Sequence, residues 1–334
     1  MNKNNAEIVV SIQCLAYNHE PYIRQCLDGF VMQETNFRFE AIVHDDASTD
    51  GTAAIIREYA EKYPDIIKPI FQTENQYSKH DGTIRKIMNA KMRGKYVAMC
   101  EGDDYWIDPL KLQKQVDYLE SHPDYGMCYT KAYKLYNDKI VGIWGDDDIS
   151  FHSLLNLKII PTLTRVERRS VYDSYEKEIG LEAKNWLMGD LPVVLFFSIV
   201  SKIHLINEVT GVYRVLETSA SHNKNINELI KFYQSADEIR LFFINKYVKK
   251  ENEKSFLLQK LKRNRSKYTI SLCLQRNDLQ KAKFYFKEGY DSLGSLDKFK
   301  YGFATTSWLS LFIFRALIDL KSSLKSVKQR FRRQ

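Results

Sequence analysis

Apolar and polar positions along this chain follow two rhythms, and the change falls near residue 220. The segment Ile8-Val9-Val10-Ser11-Ile12-Gln13-Cys14-Leu15 is rich in β-branched residues, which fit a pleated strand. It ends at Tyr17-Asn18-His19-Glu20-Pro21, after which residues 22–33 repeat at helical spacing with Ile23, Leu27, Phe30 and Val31 on one face. A second strand, predicted over 39–44, runs into Asp45-Asp46-Ala47-Ser48-Thr49-Asp50-Gly51-Thr52, and a helix follows with Ile55, Ile56, Tyr59 and Tyr63 inward. Further strands are predicted at 66–71, 95–100 and 125–136, and helices at 83–93 and 110–121. Residues 137–222 are less regular. They contain one strongly apolar helix at 193–200 and a short strand at 211–215. From 223 onward only the helical period recurs, over 228–248, 256–274 and 279–290, with no internal repeat.

Near-continuous apolar strands separated by helices imply an α/β fold, with a mostly parallel sheet covered on both faces. Ligands of such sheets bind beyond the carboxyl ends of the strands. Here two strands end in carboxylate pairs, Asp45-Asp46 and Asp103-Asp104, and Glu101 stands just before the second pair. Carboxylates gathered at one sheet edge repel one another unless a cation joins them. The topology therefore predicts an acidic crevice.

Length and charge refine this picture. A chain of 334 residues, 44% hydrophobic and 28% charged, suits one large domain with an appendage and excludes a wholly disordered chain. We place the boundary so that 1–222 is the α/β domain and 223–334 a helical extension. Residues 1–220 carry 25 Lys/Arg against 32 Asp/Glu, whereas 221–334 carry 25 against 10. The front is acidic and calls for cations; the back is basic and suits phosphates. The five cysteines, at 14, 26, 100, 128 and 273, form no CxxC pair and lie mostly in apolar runs. They predict a reducing compartment and neither zinc nor disulfides. The polar start predicts no signal peptide, and no 18-residue uncharged apolar run predicts a spanning helix.

Each motif has a plain reading beside the chemical one. Asp45-Asp46 could cap a helix or accept a hydrogen bond from a nucleobase. Glu101-Gly102-Asp103-Asp104-Tyr105-Trp106 could be a solvated acidic turn, or a set of hard oxygens for Mg²⁺ or Mn²⁺, with Gly102 letting the backbone approach a phosphate. Asp190 opens the apolar helix, as a cap or as a general base. His222, after Ser219-Ala220-Ser221, is a spectator or a ligand. Trp106 and Trp186 are core residues or sugar platforms.

Taken together, these motifs resemble the inverting family-2 glycosyltransferases with the GT-A fold. The order runs from Ala16-Tyr17-Asn18 through Val43-His44-Asp45-Asp46-Ala47-Ser48-Thr49-Asp50-Gly51-Thr52 and Glu101-Gly102-Asp103-Asp104-Tyr105-Trp106 to Gly189-Asp190, within about residues 6–222. The resemblance implies that Asp46 contacts a uracil ring and that Tyr17, with Asn18 beside it, lies along the base. It implies that Glu101 and Asp103 meet the nucleotide sugar and that Asp103 or Asp104 holds Mn²⁺ or Mg²⁺. Asp190 would be the catalytic base and His222 a further metal ligand. Two positions depart from the family pattern, which commonly has Asp at Glu101 and Glu-Asp at Gly189-Asp190. The implied activity is hexosyl transfer from a nucleotide-diphosphate sugar, UDP-linked, to a saccharide or lipid-linked saccharide in cell-surface polysaccharide synthesis. The implied location is peripheral, on the cytoplasmic face of the cell membrane.

The basic extension admits two further readings. Tyr268, Phe284, Tyr285 and Phe286 interleave with cations, as in single-strand nucleic-acid binders. Their helical spacing favours a core instead, and we expect no nucleic-acid partner. Residues 303–320 are apolar but broken by Arg315 and Asp319. Lys321, Lys325, Lys328, Arg330, Arg332 and Arg333 follow without a further acid. An apolar helix joined to a basic tail predicts association of 303–334 with an anionic membrane surface; a packed helix with a solvated tail is the alternative.

Overall fold

A computed structural model describes residues 7–79, 81–216, 225–307 and 309–314. The chain divides into two compact units, Met1–Leu216 and Glu217–Gln334. The first unit runs β1 (Ile8–Ala16), α1 (Glu20–Val31), β2 (Arg38–Asp45), α2 (Thr52–Lys62), β3 (Ile67–Phe71), α3 (Thr83–Lys91), β4 (Tyr96–Met99), β5 (Tyr105–Trp106) and α4 (Lys111–Ser121). It continues with β6 (Tyr125–Tyr136), β7 (Lys139–Trp144), α5 (Phe151–Leu155), β8 (Val166–Arg168), α6 (Arg169–Ile179), α7 (Asp190–Val200) and β9 (Lys202–Arg214).

Among the described residues one sheet has the order β3-β2-β1-β4-β8-β6-β9-β5, with β7 on the outer half of β6. The first four strands are parallel, as their continuous burial predicts. Beyond β4 the sheet becomes mixed: β8 is antiparallel to both β4 and β6, while β9 runs parallel to β6. The sheet is therefore a parallel core extended by a mixed half, with helices on its faces. The core of the parallel part is built from Val10, Ile12 and Cys14 of β1, Ala41 and Val43 of β2, and Ile23, Leu27 and Phe30 of α1. Val31, Ile55 and Tyr63 pack against that core but are only partly buried.

Several short elements fall where the sequence pattern is irregular. β8 has three residues, and it carries a charged pair into the interior: Arg165, just before it, meets Glu167 at 2.7 Å with both side chains almost wholly buried. β9 is much longer than the strand expected at 211–215, because Lys202, His204, Asn207 and Glu208 interrupt the apolar signal of its first half. α7 is buried on nearly every side, from Leu191 to Phe197, which explains its continuous apolar run. Trp106 belongs to the core. Its ring packs edge-on against Phe30 and its indole N–H donates to the Leu163 carbonyl at 2.8 Å.

The second unit contains α8 (Ile226–Tyr247), α9 (Glu251–Gln275), α10 (Leu279–Gly289) and α11 (Ser295–Ala304), with residues 309–314 also helical. Ile230, Ile270, Cys273, Leu274, Ala282, Tyr301, Leu311 and Phe314 form its core. Tyr268, Tyr285 and Phe286 pack against that core, whereas Phe284 is exposed. His222 and most of 303–334, namely Trp308 and 315–334, lie outside the described residues. Among the described residues, no helix is long and apolar enough to cross a membrane.

Candidate active site

β1 pairs with β2 on one side and β4 on the other. This is a topological switch point, and a crevice opens there beyond the carboxyl ends of the strands. Both acidic loops are pinned to the end of β1 by backbone bonds. The Asp46 amide donates to the Ala16 carbonyl at 2.9 Å, and the Gly102 amide to the Leu15 carbonyl at 2.9 Å. Parallel pairing thus brings Tyr17, Asp46 and Glu101 to one edge from three separate parts of the chain.

The loop after β2 is held by its own side chains. Asn18 has a left-handed backbone (φ 54), which asparagine tolerates better than most residues. Its amide donates to Ser48 Oγ at 2.9 Å, and its Oδ1 accepts from the Thr49 amide at 2.8 Å. Ala47 is also left-handed (φ 64), a strained conformation for a residue with no side-chain hydrogen bond to offset it. Asp46 is buried, and each of its oxygens takes one amide, from Gln76 at 2.8 Å and Tyr77 at 2.9 Å. It therefore anchors the 3₁₀ turn at Tyr77–Lys79. Two further lone-pair sites remain on the carboxylate. Tyr17 stands exposed beside this loop. Neither aspartate caps α2; that helix is preceded by Gly51, and Asp50 Oδ1 receives the Thr52 amide at 3.0 Å.

The loop after β4 is different. Carboxylate oxygens of Glu101, Asp103 and Asp104 lie within 4.8 Å of one another. Asp104 is buried, and its Oδ1 accepts the Arg214 amide at 2.8 Å. Burial, then the charges of Asp103 and Glu101, push its carboxyl well above the usual range. Asp103 Oδ1 is buried without a hydrogen-bond donor. Glu101 is exposed at the crevice mouth, yet protein crowds its carboxyl. That crowding, then the charges of Asp103 and Asp190, raise it to about 7, against the opposing pull of Arg165. Three mutually repelling hard oxygens, one of them lacking any donor, are a donor set that fits Mg²⁺ or Mn²⁺.

Asp190 is the first residue of α7, and its charge acts on the Glu101 carboxyl. Its Oδ1 receives the Leu191 amide at 2.8 Å and its Oδ2 the Thr162 hydroxyl at 3.3 Å. A carboxylate held by two donors, and partly open to solvent, is oriented for proton transfer.

Sequence patterns did not disclose several residues that shape this crevice. Arg214, at the end of β9, sits between the rings of Tyr22 and Tyr105. Its guanidinium donates to the Asp103 carbonyl and to Gln25 Oε1, and its amide holds Asp104. His19 lies close to Asp103 and Asp50; burial holds its imidazole below the ordinary value, against the pull of those two carboxylates. Gly102 has a different reason from the one expected. A Cβ there would meet His19 Nδ1 at 2.8 Å and Ile23 Cδ1 at 3.0 Å, so protein atoms, not a phosphate, occupy the space a side chain would need. Gly189, by contrast, has open space where a Cβ would stand.

The fold and site define an open α/β sheet carrying an acidic, cation-fitting crevice at its switch point. Residues 11–160 match the model of glycosyl transferase family 2. An uncharacterised protein of Mycobacterium tuberculosis (strain ATCC 25618 / H37Rv) is 43% identical over 165 residues, covering 48% of this chain and 47% of that protein. The chain thus spans about half the length of these mycobacterial relatives. Escherichia coli WfaP, a UDP-Glc:alpha-D-GlcNAc-diphosphoundecaprenol beta-1,3-glucosyltransferase, is 27% identical over 228 residues, covering 67% of this chain and 83% of WfaP. The structure of S. aureus TarS 1-349 in complex with UDP-GlcNAc superposes with a TM-score of 0.61 at 16% identity, over 87% of this chain and 83% of that one. Residues 11–160 are thus similar to glycosyltransferase family 2, and the chain shares the GT-A fold of its structural neighbours.

Proposed function

We propose that this protein is an inverting glycosyltransferase, moving a hexosyl group from a UDP-sugar to a saccharide or lipid-linked saccharide in cell-surface polysaccharide synthesis. The observation that carries this reading is the gathering of Glu101, Asp103 and Asp104 beyond the end of β4, with the charge of Asp190 acting on Glu101. WfaP, whose name describes a diphosphoundecaprenol-linked acceptor, supports the acceptor class; TarS, solved with UDP-GlcNAc, supports the donor class. Such an acceptor would be met at the cytoplasmic face of the cell membrane, with the enzyme peripheral to it.

In this reading Tyr17 and Asn18 flank the base and Asp46 accepts from the uracil N–H with a lone pair that Gln76 and Tyr77 leave open. Asp103 is the better placed of the two aspartates to hold Mn²⁺ or Mg²⁺, because the Arg214 amide already takes Asp104 Oδ1. Glu101 and Asp104 complete the acidic set, and His222 is a further ligand by family pattern. The cation, when bound, offsets the negative charge that develops on the departing diphosphate. Asp190 removes the proton of the acceptor hydroxyl as that oxygen attacks the anomeric carbon. A single base without a covalent partner gives one displacement and inverted configuration; a glycosidase needs a second carboxyl group.

A screen of nucleotide sugars for Mn²⁺-dependent release of nucleoside diphosphate tests the proposal. Release from a UDP-sugar, with a product of inverted anomeric configuration, is expected. Absence of turnover across UDP-, GDP- and TDP-sugars, with mono- and lipid-linked acceptors supplied, would overturn it.

A further inference from the structure

The second unit presents an apolar surface that its own core does not explain. In α11, Asp297, Tyr301 and Ala304 face inward. The opposite face carries Leu296, Phe299 and Phe303, spaced three and four residues apart and therefore on one stripe. Leu296 is 85% and Phe299 78% exposed. The helical stretch at 309–314 repeats the arrangement. Leu311 and Phe314 are buried, while Leu309 (70%), Phe312 (71%) and Ile313 are exposed. Tyr301 and Phe314 contact each other through their rings, so the two inner faces are already satisfied. Soluble proteins scatter single exposed apolar residues; six large ones on two consecutive helices mark a surface that meets something.

Charge says what kind of partner it meets. Within 295–314 the only acid is Asp297, and it is turned inward onto Arg263 at 2.7 Å and Lys267 at 3.3 Å. The remaining charges of that stretch are Lys298 and Lys300; on α10 Lys283 and Lys287 are exposed, as are Glu288 and, just beyond, Asp291. The chain beyond adds Arg315, Lys321, Lys325, Lys328, Arg330, Arg332 and Arg333 against Asp319 alone. Apolar side chains beside cations that outnumber the exposed acids Glu288 and Asp291, with Asp297 neutralised, match an anionic lipid surface: acyl chains accept the first and headgroup phosphates the second.

We propose that Leu296, Phe299 and Phe303 of α11, with Leu309, Phe312 and Ile313, are a membrane-docking surface that inserts into the headgroup boundary of an anionic bilayer. This surface is folded, and it acts in addition to any attraction of the basic tail. The inference stands on the second unit alone, so it fails or survives independently of the transferase reading.

Full-length protein is mixed with vesicles of phosphatidylglycerol and phosphatidylcholine, or of phosphatidylcholine alone, and sedimented at low and high salt. Binding to the anionic vesicles is expected, with weaker binding at high salt. The Leu296→Ser/Phe299→Ser/Phe312→Ser variant, which keeps every cation, should lose at least tenfold in partitioning. A second readout covers misfolding of that variant. Phe299→Trp in the otherwise intact protein should show extra fluorescence quenching, relative to wild type, with brominated acyl chains. Equal sedimentation of the triple variant and wild type would overturn the proposal. So would an unquenched Trp at 299, which is the result expected if a second copy or the protein's own tail covers this face.

Discussion

The two acidic loops at the mouth of the sheet are alike in origin and different in how they gather their charge. Each follows a buried parallel strand, and each is hydrogen-bonded to the last residues of β1. After β2, both oxygens of Asp46 accept backbone amides of the 76–77 segment, while Asp45 accepts the Ser48 amide on Oδ2 and keeps its buried Oδ1 without a donor. After β4, Asp103 keeps a buried oxygen without a donor, and the carboxyls of Glu101 and Asp104 are pushed upward. The first loop uses Asp46 for the wall beside the proposed nucleobase site and, among the described residues, keeps its carboxylates out of any three-acid group. The second gathers three carboxylates within 4.8 Å of one another, and a cluster of like charges with raised carboxyls has the signature of a ligand site.

The contrast can be broken most severely at the proposed base, Asp190, whose charge acts on Glu101. Asp190→Asn keeps the hydrogen-bonding shape of α7's first turn but cannot take a proton. Turnover should fall roughly 10²–10⁴-fold, with UDP affinity nearly unchanged by calorimetry. Transfer at a normal rate would remove Asp190 from the mechanism.

Metal dependence separates the loops directly. Asp103→Ala should abolish the gain in UDP affinity that Mn²⁺ brings over EDTA, by about tenfold or more, and Asp104→Ala should weaken it less. Asp46→Ala should lower UDP affinity equally in Mn²⁺ and EDTA, since its site is on the base side. Equal UDP affinity of the wild type in both conditions would sink the metal assignment, and a preference for guanine nucleotides would sink the role of Asp46.

A pH titration sharpens the comparison. With the Glu101 carboxyl raised to about 7, a proton competes with the cation below that pH. Mn²⁺ affinity should therefore rise as pH increases from 6 to 7, by up to about tenfold, and level off above. Glu101→Gln should flatten this segment; a variant that retains the full slope shows that another group carries the proton.

The smallest effect is expected at Gly102. Gly102→Ala must displace His19 or Ile23, and overpacking of that kind costs about 1–3 kcal/mol. A lowered melting temperature is expected, whereas an unchanged one would show that the loop yields freely.

Legibility followed the reach of each signal. The parallel core could be read because Ile8–Ala16 is largely apolar and Arg38–Asp45 carries Phe39, Ala41, Ile42 and Val43 through its middle, a pattern that suits buried strands. The acidic crevice followed from where those strands stop. β7, β8, α5 and α6 were not read, because the first two are short or exposed and the helices interrupt one another with polar turns. Gly102 was read in the right place for the wrong reason. A glycine marks a close approach, but only the coordinates show that the approaching atoms are those of His19 and Ile23.

Local pattern alone determined the parallel strands β1 to β4, most of the helices between them, the acids at the strand ends and the basic character of the extension, since periodicity and composition need no partner. Tertiary structure decided everything that pairs distant positions. It set β4 on the far side of β1, which opens the crevice, and inserted β8 antiparallel between β4 and β6. It brought the charge of Asp190 to bear on Glu101 and the Arg214 amide onto Asp104, 110 residues away. It also turned Asp297 inward and Phe299 outward on the same helix. Such choices rest on which surfaces pack together, and packing is a property of side chains meeting in space that no single stretch of sequence contains.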